Sequence, residues 1–171
     1  LMNIFAIEGD ETTGKIDWYK SGRTQDNLRT VKMLLESTQL LSSAMHLNGM
    51  EGCYKLNHAK HPSTLWTAES SDNWVNLYIH AMALNQEYEE RFGKQHKCKE
   101  RLLEMQAKVD LKKFPAQSAT PLKLAMPEEF KSLNPVKSYR DFYSTKDKMR
   151  YPKDKIPDWF TARRKTPFII V

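Results

Sequence analysis

The sequence has no apolar run that could cross a membrane, and it has only two cysteines. A membrane-spanning helix needs roughly 18 or more apolar residues in succession, so we expect no membrane partner. Cys53 and Cys98 are too few for a disulfide framework, which favours a reducing compartment. The chain reaches Glu8 and Asp10 without a basic leader, which predicts no secretory signal. These absences together predict a cytoplasmic protein.

Several motifs of common enzyme classes are also missing. There is no Walker phosphate loop, no glycine-rich dinucleotide motif, no Gly-x-Ser-x-Gly elbow and no His-Glu-x-x-His pair. We therefore expect no cofactor. Potential metal-ligand types are present, but their spacing matches no closed zinc pattern, so we expect no bound metal. These residues are Cys53, His58, His61, His96 and Cys98.

The 171 residues, 40% of them hydrophobic, suffice for one folded domain with a core of its own. Lysine and arginine number 27 against 21 acidic residues, giving a formal charge of +6. This excess favours a phosphate-bearing partner, either DNA or a nucleotide, although an ordinary basic surface would give the same count.

The hydrophobic periodicity and the helix-capping residues predict a mainly α protein, a compact single-domain helical bundle of about five helices spanning 1–171. The predicted helices are 24 or 25–47, 62–71, 73–92, 95–108 and 135–149, with a further short helix possible over 12–20. Residues 2–7 are expected to be a short extended segment. Because Pro115, Pro121, Pro127 and Pro135 interrupt it, 114–135 is expected to be an ordered loop. Residues 150–171 are expected to form a basic, irregular tail.

The first long helix carries a polar stripe within a largely apolar surface. At about 100° per residue, Lys32, Glu36 and Gln39 fall together, with Arg29 at the edge of the stripe. The stripe could face solvent as an ordinary i,i+4 ion pair. Alternatively it could line a pocket, where desolvation shifts both pKa values toward acid–base chemistry.

A second constellation surrounds two histidines in a loop. His58 and His61 precede Pro62, a residue suited to the first turn of a helix. Free N–H groups at that helix start could hold an anion, and the imidazoles could transfer protons near neutral pH. A capping histidine above an aromatic core explains the same pattern. The following residues of the constellation are Trp66, Ser70, Asn73 and Trp74.

A third constellation lies around the turn at Gly93. Glu87 and Arg91 are spaced for an i,i+4 ion pair, and Lys94 follows the glycine. This run is typical of a charged surface, but it could also present cations to phosphate.

The motifs follow an order that covers nearly the whole chain. They begin with Met2-Asn3-Ile4-Phe5, Asp26, Val31-Lys32-Met33, Glu36-Ser37, Gln39-Leu40-Leu41, Tyr54-Lys55, His58, His61-Pro62, Trp66, Ser70 and Asn73-Trp74. They continue with Glu87-Tyr88, Arg91-Phe92-Gly93-Lys94, His96-Lys97, Thr120-Pro121, Ala125-Met126-Pro127-Glu128-Glu129-Phe130, Tyr139-Arg140-Asp141-Phe142-Tyr143 and Ile156-Pro157-Asp158-Trp159-Phe160. This order resembles a family of small bacteriophage proteins that are sometimes labelled pyrimidine-dimer or DNA-glycosylase-like and are allied to phage thymine-hypermodification enzymes.

The resemblance implies a role in phage DNA metabolism inside the host cell. It singles out Asp26, Lys32, Glu36, Gln39, His58, His61, Trp66, Ser70, Asn73, Arg91 and Lys94. The chain differs from the family's usual pattern at Gln25-Asp26-Asn27-Leu28, where the family reads Cys-Asp-Lys-His. It also lacks the Leu-Pro-Gly-x-Gly hairpin of helix-hairpin-helix glycosylases.

The leading hypothesis is an enzyme that excises or modifies a pyrimidine base or nucleotide in DNA. Glu36 or Asp26 would activate a nucleophile, and Lys32 would orient that carboxylate or act as an amine nucleophile. His58 and His61 would hold phosphate or donate a proton. Trp66 or Trp74 would stack an extruded base, and Gln39, Arg29, Ser70, Asn73, Arg91 and Lys94 would bind substrate.

Two alternatives remain. One is a non-catalytic module that binds nucleic acid or a host protein through the basic tail, namely Lys153, Lys155, Arg163, Arg164 and Lys165. The other is an enzyme that acts on free nucleotides.

Overall fold

The computed structural model describes residues 2–171, and these residues are mainly helical, as the sequence predicts. The α-helices are α1 (Trp18–Arg23), α2 (Asn27–Leu47), α3 (Pro62–Glu69), α4 (Ser71–Phe92), α5 (Cys98–Lys108), α6 (Pro135–Tyr143) and α7 (Asp158–Arg163). Short 3-10 turns occupy Leu111–Lys113, Glu128–Phe130 and Lys153–Lys155. Two strands of two residues, β1 (Arg150–Tyr151) and β2 (Ile169–Ile170), pair in parallel. The described residues thus contain seven α-helices instead of about five.

The two longest helices, α2 and α4, pack against each other and carry much of the core. Leu34 and Leu41 on α2, and Leu77 and Leu84 on α4, are fully buried. The spacing of seven within each pair returns side chains to one face of a helix after two turns. α1 packs on α4, whereas α3 and α5 contact both long helices.

The N-terminal segment 2–7 forms no strand, yet every residue of it is buried. The ring of Phe5 packs edge-on against Tyr143 on α6, with 5.1 Å between centroids. The side-chain amide of Asn3 donates to the Ala125 carbonyl at 2.8 Å. The segment therefore connects α6 to the loop around residue 125.

Several predicted helix ends are wrong, for local reasons. The first helix begins at Trp18 and not near residue 12, because Gly14 has a positive φ of 80° and Asp17 caps the backbone N–H of Lys20. The bend between α3 and α4 is present, but Ser70 caps α4, one residue earlier than expected. α5 begins at Cys98, since the His96 ring accepts from the Cys98 N–H at 3.0 Å.

The segment 150–171 is more regular than predicted. It contains β1, α7 and β2, and it buries Tyr151 and Phe160 completely. The expected loop 114–135 is irregular apart from the turn at Glu128–Phe130. No helix among residues 2–171 combines the length and the apolar character that crossing a membrane requires.

Candidate functional site

A cavity of about 710 Å³ opens beside the first half of α2. Its walls come from segments far apart in sequence: the N-terminal segment, α2, the start of α3, the loop 124–131, and the end of α6 with the turn that follows. Four predicted site residues line it, namely Arg29, Lys32, Glu36 and His61. The polar stripe of α2 therefore faces this cavity over most of its length.

The charges in the cavity are strongly unequal. Among the described residues that line it, four are cationic and Glu36 is the one carboxylate. The cations are Arg29, Lys32, Lys131 and Lys146. Lys131 is paired with Glu128 at 2.7 Å and Arg29 with Asp26 at 3.2 Å, whereas no carboxylate of residues 2–171 lies within ion-pair distance of Lys32 or Lys146. Such an excess attracts an anionic ligand.

Glu36 is half-buried and oriented by the N-terminal segment. Its Oε1 accepts from the backbone N–H of Asn3 at 3.2 Å. Burial raises the pKa of the Glu36 carboxyl, while the Asn3 N–H and the positive charges of Lys32 and His58 act in the opposite direction. A carboxyl of raised pKa in a cleft is suited to general acid–base chemistry.

Arg29 is held rigidly at the cavity wall by groups behind it. Its Nη1 donates to Asp26 Oδ2 at 3.2 Å and to the Asp147 carbonyl at 2.8 Å. The side chain is 10% exposed and lines the cavity. An arginine fixed in this way loses little entropy when it binds an anion.

Asp26 does not line the cavity, contrary to its expected catalytic role. It is fully buried at the start of α2, where one oxygen binds Arg29 and the other accepts from the Tyr143 hydroxyl. Burial raises the pKa of Asp26, and the Arg29 charge opposes that shift. Asp26 therefore positions Arg29 and cannot meet a substrate directly.

Lys146 and two phenyl rings form another part of the cavity wall. The Lys146 Nζ lies 4.0 Å from the ring centroid of Phe142 and 5.7 Å from that of Phe5. Burial lowers the pKa of Lys146, as does the proximity of Arg29 and Lys32. This wall offers both an apolar surface and a cation.

The sequence reasoning missed Lys131, Lys146, Phe5 and Phe142 as site residues. Phe5 and Phe142 belong to motifs on which the family resemblance rests, and that was the one signal available for them. Lys146 has no such signal, because it reaches the cavity through the fold of the turn after α6.

The two histidines occupy different positions. His61 lines the cavity and caps α3, with its Nδ1 accepting from the Ser63 N–H at 3.0 Å. Burial lowers the pKa of His61, as does the nearby charge of His58. His58 is exposed in the preceding loop with a φ of 49°, and its ring centroid lies 6.4 Å from that of His61.

The aromatic and polar residues of the second constellation lie in the core and not in the cavity. Trp66 is 1% exposed and donates its Nε1–H to the Thr120 carbonyl, and Trp74 is 2% exposed and donates to the Leu41 carbonyl. Neither indole can stack a base while it is buried. Ser70 caps α4, and Asn73 donates to the Trp66 carbonyl at 2.8 Å, so both are occupied by structural contacts.

The remaining predicted contacts also lie elsewhere. Gln39, at the end of the polar stripe, does not line the cavity. Arg91 is buried in an ion pair with Glu87 at 2.7 Å, so the interpretation as an i,i+4 pair is confirmed. Lys94 is exposed beyond the left-handed Gly93.

Within residues 2–171, no group of three or more metal-ligating side chains is close enough to hold an ion. Cys53 and Cys98 are both free thiols. The chain matches no known family model, no curated protein and no solved structure. The geometry of the cavity therefore carries the functional argument.

Proposed function

We propose that this protein is an enzyme acting on a pyrimidine base or nucleotide in DNA, by base excision or base modification, in the cytoplasm of a phage-infected host. The cavity beside α2 is its active site. The observation that carries the proposal is the half-buried Glu36 carboxyl, with its raised pKa, inside a cavity lined by four cations.

The ligand that fits this cavity combines an anion with a flat, partly apolar group. Arg29, Lys32 and Lys146 supply donors for phosphate oxygens, and phosphate contacts of this kind position a nucleic acid. The phenyl rings of Phe5 and Phe142 line the same cavity and offer surfaces for a base. A nucleotide unit has both parts, and the family resemblance favours a pyrimidine in phage DNA.

Glu36 supplies the chemistry. Its carboxylate takes a proton from an attacking water or stabilises positive charge that develops on the sugar. Arg29, fixed by Asp26, holds the phosphate while this happens, so the reacting atoms stay in place. Of the predicted catalytic group, Glu36 reacts, Lys32 binds phosphate and Asp26 acts through Arg29.

The tail-binding alternative has less support from the contacts. Arg163 pairs with Glu11 and Asp141, and Lys155 lies 3.6 Å from the buried Glu87. Arg164 donates to the carbonyls of Ser144 and Lys146. These tail cations are already engaged within the protein, which leaves fewer of them for an external partner.

Replacing Glu36 with Gln tests the proposal. The protein is incubated with DNA containing modified pyrimidines and, separately, with nucleoside monophosphates, and mass spectrometry identifies altered bases and nucleosides. We expect the E36Q variant to lose at least about 100-fold in turnover, because general acid–base catalysis contributes about that much or more. The melting temperature should change little, since Gln preserves the shape of the side chain.

The matched control is Glu100→Gln, which removes an exposed carboxylate on α5 away from the cavity. It should retain full turnover. Alteration of monophosphates but not of DNA would support the free-nucleotide alternative instead. Equal activity of E36Q and the unchanged protein, or no altered pyrimidine in either pool, would overturn the proposal.

A further inference from the structure

His61 is held in place by three contacts. Its backbone N–H donates to the His58 carbonyl at 3.0 Å, and its carbonyl accepts from the Leu65 N–H at 3.0 Å. Its ring Nδ1 accepts from the Ser63 N–H at 3.0 Å. The imidazole is therefore fixed at the cavity wall before any ligand arrives.

The contact with Ser63 determines the tautomer of the ring. A backbone N–H can only donate, so Nδ1 must carry a lone pair and the hydrogen of the neutral ring must sit on Nε2. Among residues 2–171, no group forms a hydrogen bond with Nε2. The Nε2–H is the ring's remaining donor, and it is available to a ligand in the cavity.

The surroundings favour a neutral ring. An imidazolium at a helix N-terminus would face the positive end of the helix dipole and would lose the Nδ1 acceptor. Most of the charged side chains that line the cavity are also positive, and Glu36 is the one carboxylate among them. The titratable or charged groups around the cavity and its edge are His58, Arg29, Lys32, Glu36, Glu128, Lys131, Lys146 and Asp147. Burial and the charge of His58 lower the pKa of His61 accordingly.

We infer that His61 is a catalytic hydrogen-bond donor, giving its Nε2–H to a base oxygen that becomes negative during the reaction. This inference rests on the proposed function. The cations of the cavity already match the permanent charges of a phosphate. A protonated imidazolium would also bind a phosphate more strongly than a neutral ring does. A neutral donor suits an oxygen that is charged only in the transition state.

In base excision, the bond between the sugar carbon and the base nitrogen breaks, and its electron pair stays on the base, delocalised onto a carbonyl oxygen of the base. Water adds its oxygen to the sugar carbon and gives its proton to the Glu36 carboxylate. His61 stabilises the departing base anion through the hydrogen bond and keeps its own proton.

Two substitutions separate donation from capping. In His61→Asn, the side-chain oxygen can still cap the Ser63 N–H, since Asn is among the best N-cap residues, but no donor reaches the Nε2 position. In His61→Gln, the longer amide can reach that position, whereas the cap is weakened. H61N therefore keeps the cap and loses the donor, whereas H61Q keeps a donor and weakens the cap.

We expect H61N to keep its melting temperature and KM, and to lose about 100-fold in kcat, the usual cost of removing one such donor. H61Q should melt a few degrees lower but retain more kcat than H61N. A purely structural histidine predicts the opposite order, with H61N active and H61Q impaired. A phosphate contact predicts a raised KM with kcat unchanged. Either result would overturn the inference.

Nitrogen-15 NMR of the histidine rings gives a readout that needs no substrate. At pH 7 we expect His61 to be neutral, with the hydrogen on Nε2, and to titrate below the ordinary histidine pKa. An imidazolium or the Nδ1–H tautomer at pH 7 would overturn the inference whatever the turnover. If the E36Q comparison shows no pyrimidine chemistry while NMR shows the Nε2–H tautomer, the proposed function fails, and the catalytic role of His61 fails with it. The tautomer assignment alone is then confirmed.

Discussion

At the scale of single residues, Lys32 and Glu36 are spaced as an i,i+4 ion pair but do not form one. Glu36 accepts instead from the Asn3 backbone, and Lys32 remains exposed at the cavity. Surface ion pairs of this kind contribute at most about 1 kcal/mol, so a competing N–H donor is enough to separate them. Both groups thus remain available to a ligand.

His80 is a residue whose burial should be visible in the pH dependence of stability. Its Nδ1 lies 3.0 Å from the Trp18 carbonyl, and burial lowers its pKa to about 4. The unfolded chain, with a histidine pKa of about 6.5, binds more protons than the folded protein between these values. The neutral, buried His80 therefore costs no stability above pH 6.5. As the pH falls below that value the free energy of unfolding decreases, by about 3 kcal/mol near pH 4.

Urea unfolding of the unchanged protein and of His80→Gln, at pH 7 and pH 4.5, measures this effect. We expect the decrease in unfolding free energy between the two pH values to be smaller in H80Q by about 2 kcal/mol or more. The other titrating groups act in both proteins and cancel. Equal decreases would contradict the prediction. If H80Q does not fold, NMR titration of the His80 ring gives its pKa directly.

At the scale of helices, the closest approach of α1 to α4 depends on Gly22. A Cβ at this position would lie 2.6 Å from the His80 carbonyl oxygen and 2.7 Å from the Ala83 Cβ. Helix propensity alone would make Gly22→Ala stabilising by up to about 1 kcal/mol. The clash reverses that sign, and we expect a net loss of about 2 kcal/mol in unfolding free energy.

Thermal or urea unfolding of G22A checks this expectation, with Gly49→Ala as the control. Gly49 has a positive φ of 77° and open space around it, so its substitution should cost about 1 to 2 kcal/mol of backbone strain without any clash. A G22A protein as stable as the unchanged one would show that α1 can move away from α4 at little cost.

The long helices could be predicted from sequence because their ends are set locally. α2 stops at Asn48-Gly49 and α4 at the left-handed Gly93, as the residue types indicate. α6 was predicted to continue to residue 149 but ends at Tyr143. The guanidinium of Arg164 donates to the Ser144 and Lys146 carbonyls, the groups that a longer helix would use. A side chain about twenty residues away thus binds the carbonyls that a longer helix would need, and no local pattern contains that information.

The same limit applies to the site. The stripe of Arg29, Lys32 and Glu36 follows from helical periodicity alone. The part of the wall formed by Phe5 and Lys146 depends on how the N-terminal segment and the turn after α6 meet. Large aromatics suit either a stacked base or a core, so the sequence left both roles open for Trp66 and Trp74, and their burial confirms the core.

At the scale of the whole molecule, the proposed function and the tail-binding alternative place DNA against different cations. Lys32 lines the cavity, whereas Lys165 is an exposed cation of the tail. Binding that neutralises phosphates weakens as salt rises, and each lost phosphate contact reduces the slope of log K against log salt by about 0.7 to 0.9. Comparing the slopes of variants therefore shows which cations contact the DNA backbone.

We expect Lys32→Met to reduce this slope by about 0.7 for single-stranded DNA, measured by fluorescence anisotropy with a labelled pyrimidine oligonucleotide across a salt series. Methionine keeps the apolar stem and the helix propensity, so the variant removes little besides the charge. Lys165→Met is the matched control and should leave the slope unchanged. The reverse pattern, with K165M reducing the slope and K32M not, would place the DNA on the tail and contradict the cavity as the binding site.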